Sequence, residues 1–139
     1  MPAFVEVSAV SHEFALRLVQ AAIDEGARRG VPVAVAVSDP ALGLVAYARA
    51  DGTTPHSAET SRRKAMTSAS TRRATGWMPD ELATALPLGT GLQLTNILGG
   101  VPLVVEGRFI GGLGVAGGPP AVDAEIAAAV LTAVGADAP

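Results

Sequence analysis

The sequence predicts an α+β domain, an antiparallel sheet built from two hairpins with helices packed on it. Three observations predict this class. Apolar runs come in pairs joined by short turn sequences, so consecutive strands pair directly. Helical segments separate the pairs and do not bridge the strands within a pair, which argues against a doubly wound parallel sheet. With 139 residues and 49% hydrophobic content, the chain suffices for one core and one domain, residues 1–139.

The elements follow in order. Ser11 suits the cap of a helix running to about Arg29, with Leu16, Val19, Ala22, Ile23, Gly26 and Ala27 as its apolar stripe. Arg28 and Arg29 complement the C-terminal dipole, and Gly30 ends the helix. Val31 to Ser38 is short and β-branched and reads as a buried strand. Asp39-Pro40-Ala41-Leu42 turns the chain, and Gly43 to Arg49 returns it. Thr54-Pro55 opens a second helix to about Ala74, with Ser57 as the other possible cap. Ala58, Ala65 and Ala69 let that helix sit close to a sheet. Its hydroxyl-rich stripe of Thr60, Lys64, Thr67, Ser68 and Thr71 is most simply a solvated face, and otherwise a ligand or subunit surface.

Pro79-Asp80-Glu81 starts a short helix to about Ala85. Residues 86–100 read as a loop, long enough to carry function or a short strand around Gln93 to Ile97. Two apolar runs then flank Glu106-Gly107 in a second hairpin. Its second arm carries Gly111, Gly112 and Gly114, which mark close approach of a ligand, a subunit or another backbone. Pro119-Pro120 breaks the chain before a final helix from Asp123 to about Val134.

Composition removes several function classes. There is no cysteine, so disulfides, thiolate metal sites and a cysteine nucleophile are excluded. The net charge of −3 gives no general case for nucleic acid. Residues 57–74 do hold Arg62, Arg63, Lys64, Arg72 and Arg73 against Glu59, a local +4 that leaves −7 elsewhere. No aromatic platform accompanies that charge, so a small anion or salt bridges are the better partners. No run approaches the ~20 apolar residues of a membrane span, and no secretory leader is visible, so a cytoplasmic protein is expected. Only 17% of residues are charged, which points to a homo-oligomer with covered faces.

The histidines are His12, read as a surface residue, and His56, beside the basic helix. His56 is the candidate metal or haem ligand and the candidate acid/base. Lys64 or Arg63 would stabilise an oxyanion or enolate. Asp39, Asp51 and Asp123 read as turn or capping residues.

The ordered segments Val33 to Asp39, Ala46 to Gly52, Ser57 with Arg63-Lys64-Ala65 and Thr67, Gly99 to Gly107, and Gly111 to Gly117 with Asp123 resemble the GlcG/HbpS-like, or haem-degrading, family. The fold of that family is similar to the C-terminal domain of PduO-type proteins. The resemblance covers about residues 15 to 134. It implies an antiparallel sheet of about five strands, homo-oligomers, and haem or corrinoid binding. It places Asp39, Arg49, Arg63 and Lys64 on the family's polar positions. The chain departs from the family in reading Asp39-Pro40-Ala41-Leu42-Gly43 where a DAGG-like turn is usual, and in carrying His56 where a small residue is common.

The leading expectation is therefore a small-molecule-binding protein, haem or another tetrapyrrole being the ligand, held near helix 57–74. His12, His56, Tyr47, Met66 and Met78 are the available axial ligands, and His56 is preferred. Arg49, Arg63 and Lys64 would pair with propionates, and Asp39, Gly111 and Gly112 complete the expected binding set. The alternatives are a cofactor-independent isomerase, cyclase or lyase using His56 and Lys64, and a non-catalytic oligomeric scaffold.

Overall fold

The side chain of Ser11 accepts the Phe14 N–H at 3.1 Å and so starts α1 (His12–Arg28). The computed structural model describes all 139 residues. Ala15, Leu18, Val19, Ala22 and Gly26 form the buried face of α1. The stripe is thus rotated from the expected one, and Leu16 and Ala27 face solvent. Alanines at 15, 21, 22 and 27 give this helix two overlapping apolar stripes, and packing chooses between them.

Strands β1 (Ala34–Ser38) and β2 (Leu44–Arg49) form the first hairpin. The Asp39 carboxylate closes its turn by accepting the N–H groups of Ala41 and Gly43, each at 2.9 Å. Helix α2 (Ser57–Thr71) follows, then α3 (Asp80–Gly89). Strands β3 (Gly100–Val105) and β4 (Arg108–Ala116) form the second hairpin, and α4 (Pro120–Val134) ends the fold. Glu106 and Gly107 have φ of 53° and 76°, the double left-handed conformation of a two-residue hairpin turn. Pro119-Pro120 starts α4 instead of merely breaking the chain, because proline tolerates the first helical position.

The sheet has four antiparallel strands in the order β2-β1-β4-β3. The expectation of about five is corrected to four. Residues 93–97 form no strand because side chains capture the local backbone. Thr95 N–H donates to Thr67 Oγ1 at 2.9 Å, Ile97 N–H donates to Thr95 Oγ1 at 3.2 Å, and Asn96 Oδ1 accepts Met78 N–H at 2.9 Å. Part of the expected loop is helix instead, since α3 continues through Pro87 to Gly89.

The two sheet faces differ in kind. Val35, Val37, Val101, Leu103, Leu113 and Val115 pack with α1 and α4 in a core of 17 buried apolar residues. The opposite face presents Ala34, Ala36, Gly112 and Gly114 to α2. A methyl group at Gly112 or Gly114 would overlap the backbone carbonyl oxygen of Ala65 or Ser61, so α2 lies directly on β4. This close seating buries Lys64, Thr67 and Ser68, and the hydroxyl stripe is not a solvated face.

Candidate functional site

Close seating of α2 carries Lys64 to the C-terminal end of β4. There its ammonium donates to Val115 O at 2.8 Å and to Asp123 Oδ2 at 3.1 Å. Both side chains are buried, each residue only 1% exposed. Asp123 Oδ1 accepts Gly118 N–H at 3.0 Å, which ties the loop before α4 back onto its first turn. Gly99 makes the approach possible. Its φ is +129°, and a methyl there would meet the Val115 carbonyl and the Lys64 ammonium.

Burial pushes the Lys64 ammonium below its ordinary range, and the attraction of Asp123 opposes that. Burial likewise pushes the Asp123 carboxyl up, against the pull of Lys64 and the backbone amides of Gly118 and Gly117. Burial therefore works against both charges, and their mutual attraction works for them. Lys64 has three N–H donors, and only two have protein acceptors.

This pair forms the floor of a cleft of about 360 Å³, whose wall includes His56, Ser57 and Thr60 from the start of α2 and Gly117 and Gly118 before α4. Thr54 and Ser57 share a hydroxyl hydrogen bond of 2.6 Å, and Thr60 Oγ1 donates to His56 O at 3.3 Å. The His56 side chain caps nothing, although its backbone occupies the N-cap position of α2. Apolar cover is limited to Ile97, Ala116 and the Pro120 ring.

The structure thus brings together His56 and Lys64 and places the other expected residues elsewhere. Arg63 binds Glu59 at 3.1 Å, and Arg49 is exposed on β2. Asp39 is committed to its turn. Gly111 faces the Ser38 carbonyl and Gly112 faces α2, so neither glycine lines the cleft. The basic helix does not present one cationic face either. Arg62 also binds Glu59, while Arg72 stacks on Phe109 and Arg73 on Trp77, each at 4.5 Å. Among the other axial candidates, Met66 and Met78 are buried, Tyr47 lies on β2 and His12 begins α1. No three His, Asp or Glu side chains cluster as a metal site.

Asp123 was legible only as a capping residue, because nothing local links it to a lysine 59 positions earlier. Only the burial of Lys64, seen in the structure, demands a partner for it.

Residues 10–132 match the family model described as haem degrading protein HbpS-like. The chain belongs to the HbpS-like family. It is 37% identical to protein GlcG of Escherichia coli K12 over 109 residues, covering 76% of this chain and 80% of GlcG. The PduOC:haem complex superposes with a TM-score of 0.85 at 26% identity, covering 94% of this chain and 98% of that one. A double mutant of Streptomyces reticuli HbpS gives 0.83 at 29% identity, covering 94% and 90%. No helix of this HbpS-like chain is long and apolar enough to cross a membrane.

Proposed function

We propose that this HbpS-like protein binds a small anionic ligand in the Lys64–His56 cleft, with haem or another tetrapyrrole as the leading ligand. The observation that carries the reading is Lys64, a buried ammonium with an unspent N–H donor on the floor of a polar cleft. The family description and the haem complex of PduOC support the choice of haem. His56 fits an axial ligand, and Thr54, Ser57, Thr60 and Lys64 fit a carboxylate edge. The sparse apolar lining fits a macrocycle less well than it fits that edge. Bound haem would supply iron chemistry; the chain's own part is to ligate, orient and hydrogen-bond.

Haemin titration of the purified protein tests this at the Soret band, with His56→Ala beside it. Saturation at one haem per chain, with the band altered in the variant, is the expected result. Absence of saturable binding refutes the tetrapyrrole reading.

The placement of the hydrogen-bonded Lys64–Asp123 pair in the same cleft as His56 favours a second reading, a cofactor-independent enzyme acting on a small carboxylic or carbonyl compound. His56 would act as acid/base there, and Lys64 would steady the developing negative charge. Thermal-shift screening with small organic acids tests it. Stabilisation by one compound, lost in Lys64→Met, is expected, and a uniformly silent screen counts against it. A homo-oligomer in the cytoplasm, with neither nucleic-acid nor membrane partners, belongs to the same proposal.

A further inference from the structure

Two unpartnered features of this chain complement each other. The first is residues 3–9, which precede α1 and belong to no helix or strand. Phe4, Val5 and Val7 on it are 79%, 77% and 70% exposed. It is tethered at its base, where Val10 N–H donates to Ile110 O at 2.9 Å and Arg108 donates to Ser8 Oγ at 3.3 Å. In a strand conformation, Phe4, Glu6 and Ser8 would share one face and Val5, Val7 and Ala9 the other. No backbone hydrogen bond joins residues 3–9 to the rest of the chain.

The second feature is the outer edge of β2. The sheet has two edges, and the chain closes only one. Along β3, Thr75 N–H donates to Gly100 O and Asp137 N–H to Val104 O, both at 2.9 Å, and Gly100 N–H donates to Thr75 Oγ1. Strand β2 has no such cover on its outer side. It also lacks the lysine and proline that commonly blunt an edge, and it exposes Leu44 and Tyr47. Beside it lies a groove of about 200 Å³ between Leu44 and Tyr47 of β2 and Ala58, Glu59 and Arg62 of α2.

We infer that residues 3–9 of one copy add as a strand to the β2 edge of a second copy. The segment supplies seven residues for a six-residue edge. Charge and the groove together set the direction. Phe4 and Glu6 share one face of the arm, and Tyr47 and Arg49 share one face of β2, with the same spacing of two. Parallel pairing puts Phe4 at the apolar groove and Glu6 beside Arg49. Antiparallel pairing cannot meet both contacts: with Glu6 beside Arg49, Phe4 falls opposite Asp51, beyond the end of β2. The main-chain bonds give affinity and the groove gives selectivity, as in other strand additions. Reciprocal exchange closes a dimer, and head-to-tail exchange closes a ring.

Because the chain has no cysteine, introduced thiols report unambiguously. Single variants Glu6→Cys and Arg49→Cys, both at exposed positions, are mixed and oxidised, with Glu13→Cys and Arg49→Cys as the control mixture. The mixed disulfide is expected about tenfold above control, because pairing raises the local thiol concentration. Val5→Cys with Ala48→Cys gives a second pair on the other face. Light scattering with Phe4→Asp is the parallel arm, expected to shift wild-type oligomer towards smaller species. Dominant Arg49→Cys homodisulfides would mean that β2 edges pair with each other, and would overturn the inference. A wild-type monomer with control-level cross-linking would overturn it too. Neither result bears on haemin binding, so ligand binding in the cleft and strand exchange fail separately.

Discussion

Replacing Lys64 by methionine takes a buried ammonium away from both of its acceptors, Val115 O and the Asp123 carboxylate, and leaves that nearly fully buried carboxyl with only the backbone amide of Gly118 beside it. Removing one member of a buried pair costs about 3–5 kcal/mol, because the survivor keeps its desolvation penalty. Asp123 already has a raised affinity for protons, so it relieves part of the cost by protonating, and about 3 kcal/mol is expected. For a domain of this size that lowers Tm by roughly 10 °C. Asp123→Asn keeps an acceptor for Gly118 but strands the ammonium, and should cost a similar amount. The double variant Lys64→Met/Asp123→Asn strands no charge, so it should be more stable than the sum of the singles implies, by about 2 kcal/mol. Urea titrations with an unchanged m value give all three numbers. Single losses below about 1 kcal/mol, or additivity within about 0.5 kcal/mol, would refute a coupled buried pair.

Other positions give independent tests. Gly114→Ala should destabilise by at least about 2 kcal/mol in the same titration, since its methyl overlaps the Ser61 carbonyl and lifts α2 off β4. Gly89→Ala should instead be neutral or stabilising by up to about 1 kcal/mol, because it meets open space at the end of α3. Ser11→Ala should cost about 1 kcal/mol, read by thermal unfolding, through loss of the cap on Phe14 N–H. The hydrogen bond from Arg62, helped by Arg63, holds the Glu59 carboxyl below its ordinary 4.5. Its stabilisation is present above pH 4.5 and is lost as pH falls through the lowered value, so Glu59→Gln should flatten the acid side of the stability profile.

Much of the fold was legible because its signals are local. Ser11, the Asp39 turn and Glu106-Gly107 each specify backbone geometry through their own chemistry. What failed depended on distant partners. Gly111, Gly112 and Gly114 signalled close approach but not of what, and the answer is backbone, Ser38 beside Gly111 and α2 beside the other two. Residues 93–97 have strand-like composition, yet the Thr67 hydroxyl, 28 positions away, claims one of their N–H groups. His56 and Lys64 line one cleft, whereas Arg49 and Arg63, expected from the resemblance as propionate partners, lie outside it. Arg63 is neutralised one helical turn away by Glu59, and Arg49 lies on a different strand.

The arrangement separates what holds the cleft from what can vary in it. Lys64 reaches Val115 only because glycine at 114 lowers α2 onto the sheet and glycine at 99 leaves room for the ammonium. Asp123 is equally constrained, since it anchors the Gly118 amide as well as the lysine. A change at any of these four positions disturbs core packing before it alters ligand choice. Thr54, His56, Thr60 and Pro120 carry no such burden: they are exposed or half-buried, and they stand at the cleft mouth. On the proposed reading, ligand selectivity has its freedom at the mouth, where His56 is the one side chain of the metal-ligating type. Substitutions at the mouth should thus change what binds while leaving the unfolding transition in place, whereas substitutions at the floor should move both together.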